Sequence, residues 1–240
     1  MPSEAGSPLE VLCEDGPVLA VNKPAGLLTL GAAPGVPTLE RQVKQFLKEK
    51  YNKPGNVYLG IPHRLDRPAS GVVVFARNSK AAARLAEQFR ERQVRKVYWA
   101  LVEKAPDPPE GELVDWLQKA PDKSHVDVVS PETSGAREAR LRYRTLHDRA
   151  LIEIELLTGR THQVRVQLAA RGWPIVGDVQ YGAQTRLAAS PAADLRDEPI
   201  ALHARSLTIL HPIRYEPLTI TAPLPALWQE NLPAAQAIIA

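Results

Sequence analysis

Ile61-Pro62-His63-Arg64-Leu65-Asp66-Arg67-Pro68-Ala69-Ser70-Gly71-Val72-Val73-Val74-Phe75-Ala76 runs from a charged loop into a continuous apolar segment. An apolar run rich in β-branched residues, with no polar alternation, is expected of a strand covered on both faces. The loop places one acid, Asp66, between Arg64 and Arg67, directly before the rigid element that would position it. Flanking cations favour the ionised carboxylate, which suits a nucleophile better than a general acid. An aspartate that merely pairs with Arg64 or caps a turn is the commoner case, and residue type alone favours that structural reading.

Outward from that strand the pattern alternates. Val18–Val21 is a short apolar strand that stops at Asn22-Lys23-Pro24. Leu39, Val43, Phe46 and Leu47 fall at helical spacing after Thr38, a good N-cap, and predict an amphipathic helix over 39–51. Ser79 is placed to cap a second helix with Ala82, Leu85, Ala86 and Phe89 on one face, and Val94–Val102 reads as the next strand. Strand, helix, strand in this order gives a mixed α/β (α+β) class. In 139–145, Leu141, Tyr143 and Thr145 alternate with Arg140, Arg142 and Arg144. After a turn at His147-Asp148-Arg149, Ile152, Ile154 and Leu156 alternate with Glu153 and Glu155. Period 2 on both arms predicts an antiparallel hairpin whose outer face sets arginines opposite glutamates, so this basic stripe already has partners. Thr161 is expected to cap a helix carrying Val164 and Leu168 and ending at Gly172, which would present Arg160, His162, Gln163 and Arg165 together. The 22 prolines cluster in 105–109, 121–131 and 190–199 and near the C-terminal end, and mark loops between regular elements.

Composition narrows the function. The 240 residues are 44% apolar and 24% charged, ordinary for a globular chain. A single cysteine, Cys13, excludes an internal disulfide and a cysteine-based zinc site and suits a reducing, cytoplasmic setting. Segment 1–16 carries four acids and no basic residue, unlike a secretory or transit peptide, and no apolar run approaches the ~18–20 residues of a membrane span. The net charge of +3 permits a nucleic-acid partner without requiring one. From Arg77 to Lys96 seven basic residues face only Glu87 and Glu91, and charge alone favours reading them as a solvated helix face. The six histidines form no HExxH, and GxGxxG, GxxxxGK[ST] and GxSxG are all missing. No metal, no nucleotide cofactor and no serine nucleophile are therefore expected.

His63-Arg64-Leu65-Asp66 followed by Ser70-Gly71 resembles the signature of the RluA family of RNA pseudouridine synthases. Further segments resemble the family in order: Val21–Gly26, Lys96–Val102, Gly159–Arg165, Gly177-Asp178-Val179-Gln180-Tyr181-Gly182, Leu202-His203-Ala204 and His211-Pro212. Together they span about residues 18–212. Ala69 departs slightly from the usual Thr or Val, and 103–136 and 183–199 match no family motif. The resemblance implies a short form without an S4 domain: one catalytic domain over 1–240, with a largely antiparallel mixed sheet, flanking helices and a central active-site cleft. It implies isomerisation of uridine in structured rRNA or tRNA to pseudouridine, without a cofactor, by a monomer. Asp66 would be the nucleophile, attacking ribose C1′ or the uracil ring, or would abstract a ribose proton. Arg165 would be its basic partner, holding the carboxylate with its planar fork. Tyr98 would lie under the uracil and relay the C5 proton. Arg64 would enter the space left by the flipped base. Arg67, Arg160, His162 and the 77–96 segment would contact phosphates, and Val164 and Leu202 would form pocket walls. Two rivals follow from the same residues: a non-catalytic RNA-binding module, and a uridine glycosylase that would release free uracil.

Overall fold

A computed structural model describes residues 9–120, 125–146, 150–188 and 194–231. Its elements, in chain order, are β1 (Val11–Asp15), β2 (Val18–Lys23), α1 (Leu39–Lys50), β3 (Ser70–Ala76), α2 (Ser79–Arg90), β4 (Arg95–Leu101), β5 (Glu110–Lys119), β6 (Val126–Val129), β7 (Arg137–Thr145), β8 (Leu151–Leu156), α3 (Gln163–Ala169), β9 (Leu202–Leu210), β10 (Pro217–Thr221) and α4 (Ala226–Asn231). The strands form one sheet in the order β1-β2-β3-β9-β4-β8-β7-β5-β6, with β10 against β9. Among the described pairings, β3–β9 is parallel and the others antiparallel, so the mixed α+β class and the largely antiparallel sheet hold.

The apolar run over 72–76 is buried throughout because helices cover both of its faces. Val73 and Phe75 pack with Leu39, Val43 and Leu47 of α1. Val72 and Val74 pack with Ala81 and Leu85 of α2 and with Leu207 and Ile209 of β9. A third cluster joins Ala100, Leu141, Ile152 and Ile154 of the central strands to Val164 and Leu168 of α3. Where β3 meets β9, Ser70 and Gly71 pair with His203 and Ala204. Gly71 has φ +114°, and a Cβ there would sit only 2.6 Å from the Ala204 backbone nitrogen. Only glycine permits this approach.

Several boundaries differ from the sequence reading. Thr38 caps α1 as expected, accepting from the Arg41 N–H at 3.3 Å. The cap of α2 is Asn78, not Ser79. Asn78 has the extended backbone a cap needs, and its Oδ1 accepts from the Ala81 N–H at 2.8 Å. Thr161 does not cap α3; His162 occupies that position in left-handed conformation (φ 53°) with no side-chain cap. α3 stops at Ala169, and Gly172 (φ +74°) lies beyond it, in the turn where the Trp173 N–H returns to the Leu168 carbonyl. The proline-rich stretches are not all loop: β6 lies within 121–131, and 103–136 contains β5 and β6, which pair with each other, β5 also pairing with β7.

The β7–β8 hairpin has the expected register, Arg142 opposite Glu155 and Arg144 opposite Glu153; its turn at 147–149 lies outside the described residues. Arg144 pairs across to Glu153 at 2.7 Å. Arg142 instead turns to Glu112 on β5 at 3.1 Å, and Glu155 pairs with Arg95 on β4 at 3.0 Å. Each strand has two neighbours, and the sequence pattern shows only one of them.

Candidate active site

Two anchors hold the Asp66 loop. On one side, Lys23 at the end of β2 is fully buried, and its Nζ donates to the carbonyls of Pro24 (2.8 Å), Leu27 (2.7 Å) and Arg67 (3.1 Å). Burial pulls its pKa down to about 7, but three carbonyl acceptors take three hydrogens and leave no donor for an amine lone pair, so the ammonium is retained. The Thr29 hydroxyl donates to the Leu65 carbonyl (2.9 Å) and accepts from its N–H (3.2 Å). On the other side, His63 stacks on Phe89 of α2 at 4.6 Å, and its Nε2 accepts from the Val74 N–H of β3 at 2.9 Å. Burial, then Lys96, pushes the His63 pKa down to about 3, so it is a neutral acceptor. Both ends of the loop are thus tied to the sheet, and Asp66 is fixed between them.

Asp66 opens into a cleft of about 530 Å³ shared with Arg64, Tyr98, Arg160, His162, Val164, Arg165 and Leu202. Eight of the nine expected site residues therefore converge. Tyr98 comes from β4, and burial followed by the Asp66 charge raises its phenol pKa, so it stays protonated. Val164 and Leu202 are buried walls. Arg64 is exposed at the mouth and forms no ion pair with a described residue. The Arg160 Nε donates to the Glu138 carbonyl at 2.8 Å. Lys96 and Arg92 also reach the cleft, and burial with the neighbouring Arg92 and Arg160 charges lowers the Lys96 pKa to about 8.

Arg67 is the exception. Its Nε forms an ion pair with Asp197 and donates to the Gly26 carbonyl at 3.2 Å, in a separate cavity of about 730 Å³ beyond the Asp66–Ser70 segment. A turn, with the Ala69 N–H on the Asp66 carbonyl at 3.2 Å, separates these neighbours in sequence. The larger cavity contains none of the other expected residues. Of the seven basic residues in 77–96, three form ion pairs, Arg77 with Glu14, Arg90 with Glu87 and Glu91, and Arg95 with Glu155, while Arg90, Arg92 and Lys96 line the Asp66 cleft.

Arg165 lies beside Asp66, but its fork holds a different carboxylate. Nε and Nη2 donate to the two Asp178 oxygens, each at 2.7 Å, and Nη2 also donates to Gln180 Oε1 at 3.0 Å. Nη1 faces Asp66 Oδ2 at 3.9 Å, a charge contact too long for a hydrogen bond. Asp178 fixes the guanidinium plane, and Nη1, the corner that Asp178 does not use, faces the candidate nucleophile. The turn before α3 is equally well tied. Gln163 Oε1 accepts from the Thr158 hydroxyl (2.7 Å) and the Arg160 N–H (3.0 Å), and its Nε2 donates to the Arg140 carbonyl (3.0 Å). Gln163 stands in the group the sequence places at the start of α3; Asp178 and Tyr181 are the contributors that residue-type reasoning missed, and their signal was present only as membership of a quoted family-like segment. Among the described residues, no group of His, Cys, Asp and Glu is arranged to hold a metal ion, and no helix is long and apolar enough to cross a membrane.

A family model described as RNA pseudouridylate synthase matches residues 17–170. The chain is 37% identical over 225 residues to ribosomal large subunit pseudouridine synthase D of Xylella fastidiosa, covering 91% of this chain and 66% of that protein. It is 34% identical over 242 residues to tRNA pseudouridine synthase C of Salmonella typhimurium, covering 93% and 88%. Among solved structures, human RNA pseudouridylate synthase domain containing 4 superposes with a TM-score of 0.74 at 27% identity, over 93% of this chain and 91% of that one.

Proposed function

Because the chain belongs to the RNA pseudouridylate synthase family, we propose that it isomerises uridine within structured rRNA or tRNA at the Asp66 cleft, with Asp66 as nucleophile. In the net reaction the bond from C1′ to N1 breaks, a bond from C1′ to C5 forms, the C5 proton leaves and N1 is protonated, with no redox change and no water consumed. The observation that carries the reading is the meeting of Asp66, Arg165 and Tyr98 in one walled cleft: 3.9 Å separates the acid from a buried guanidinium, and a protonated phenol stands in the same space.

Arg165 stabilises negative charge on Asp66 without closing a direct hydrogen bond that would have to break before reaction. Tyr98 offers a ring face for the base and a hydroxyl able to pass on the C5 proton. Val164 and Leu202 exclude water from the bond exchange. The three chemistries open to Asp66 all place its carboxylate against C1′, the ring or the ribose. Arg64, free at the mouth, suits the role of filling the stack that the flipped base leaves, a step costing a few kcal/mol. Arg160 and His162 remain the phosphate contacts; Arg67, committed to Asp197, belongs to the scaffold. We further read 1–240 as one catalytic domain acting as a cytoplasmic monomer, which its single cysteine suits.

The test is to incubate the purified chain with unmodified total RNA, map pseudouridine by an adduct that stops reverse transcription, and weigh the digested fragments. New stops at unchanged mass support isomerisation. Loss of uracil mass points to the glycosylase, and binding without either change points to a non-catalytic module.

A further inference from the structure

The 103–136 segment matches no family motif, yet one phenol links it to His162, which lines the cleft. Tyr181 follows the Asp178 loop. Its Oη accepts from the Val126 N–H at the start of β6 (3.0 Å) and lies 2.9 Å from His162 Nδ1. His125, the residue before β6, stacks on the same ring at 4.5 Å, and the Arg165 guanidinium lies over it at 4.8 Å. A phenol oxygen that accepts from a backbone N–H still has its own proton to give, and His162 Nδ1 is the acceptor within reach. With the phenol as the donor of this contact, Nδ1 is the unprotonated nitrogen and the imidazole hydrogen sits on Nε2. His162 holds a left-handed backbone (φ 53°) without capping its helix, and its ring lines the cleft.

We propose that Tyr181 is a positioning residue that fixes His162 as the Nε2–H tautomer, aims that donor at an acceptor oxygen of the bound RNA, and thereby couples the β5–β6 arm to the uridine site. Its last clause rests on the cleft being that site. Burial pushes the His162 pKa down, with Asp66 and Asp178 opposing and Arg165 and Arg64 assisting, so the ring is neutral in the cleft. Burial likewise raises the Tyr181 phenol to about 12, which keeps its proton available.

The experiment has two arms. In the first, nitrogen-15 NMR of the histidine-labelled full chain reads the tautomer without any need for turnover. The unmodified chain shows His162 protonated at Nε2, and Tyr181→Phe loses that bias while remaining folded by its melting curve. A wild-type His162 protonated at Nδ1 overturns the proposal. In the second arm, kcat/KM is measured on structured RNA. Tyr181→Phe and His162→Ala each fall about tenfold, the value of roughly one hydrogen bond. His162→Gln, whose amide nitrogen falls near the position of Nε2, recovers most of the loss, whereas His162→Asn does not. Equal loss in the Gln and Ala variants contradicts the donor role. With a 4-thiouridine target, a reaction slowed in wild type but not in His162→Ala identifies uracil O4 as the acceptor, and an unchanged one excludes O4. If the wild-type chain makes no pseudouridine at all, the cleft assignment fails while the tautomer result stands or falls on its own.

Discussion

Asp178→Asn is the sharpest perturbation of the cleft, because it keeps the shape of the side chain while removing its charge and turning one of the two oxygens that accept from Arg165 into an amide donor. Arg165 is 3% exposed and Asp178 1% exposed, and two 2.7 Å hydrogen bonds join them. At an effective dielectric near 20, charges ~4 Å apart attract by about 4 kcal/mol. Breaking a buried pair from one side costs about 3–5 kcal/mol, since the surviving charge stays buried. In a chain of this size each kcal/mol moves Tm by roughly 2–4 °C, so Asp178→Asn should melt about 6–20 °C lower. The guanidinium, released from its plane, would close on Asp66 from its present 3.9 Å. kcat/KM should then drop by at least about tenfold at a temperature where the variant is still folded. Glu87→Gln is the control: its pair with Arg90 is 62% and 66% exposed and should contribute little. Calorimetry and a pseudouridine assay decide the matter. If Asp178→Asn melts within ~2 °C of Glu87→Gln and keeps its turnover, Asp178 does not orient Arg165 and the reasoning is wrong.

Arg64→Ala should cost roughly tenfold or more on a folded stem and far less on a single-stranded oligonucleotide, because only the stem must be unstacked; equal losses in the two rate measurements would remove the flipping role. Gly71→Ala should destabilise by several kcal/mol and lower Tm by about 10 °C, since strain at positive φ adds to a collision with the Ala204 backbone; an unchanged Tm would mean β3 and β9 can separate there. Stability should fall with acid before most carboxylates titrate. His63 and His203 titrate at about 3 and 4 in the fold because burial disfavours their charged forms, whereas the unfolded chain takes up those protons near 6.5. Their contribution is therefore complete above pH ~7.5 and declines as pH falls through 6.5, so Tm should drop between pH 7.5 and 5; a flat or rising Tm over that window contradicts imidazoles held neutral by the fold.

What the sequence made legible was local or periodic. The 71–76 run announced its two-sided burial, Thr38 its cap, and 139–156 its hairpin register, because each depends on neighbours within a few positions. The three-dimensional partners were not legible. Arg165 could be expected near a carboxylate, but the choice between Asp66 and Asp178 turns on how a loop 13 residues downstream folds back. Arg67 stands one residue from Asp66, yet the intervening turn sends it to Asp197. Arg142 had a well-placed glutamate on β8 and takes one from β5, a strand hidden in a segment with no strong alternation. The Tyr181 bridge to β6 was invisible for the same reason: His162 and Tyr181 lie in legible segments, but the Val126 N–H comes from a stretch of unremarkable pattern that only the fold brings to them.

One single-turnover comparison bears on Asp66 most directly. Wild-type chain and Asp66→Asn are each mixed in excess with a structured RNA containing a target uridine, and both binding and pseudouridine formation are followed. A variant that binds within about threefold of wild type and forms no pseudouridine is the expected result; conversion at a comparable rate by the Asn variant would show that this carboxylate is not the group that drives the bond exchange.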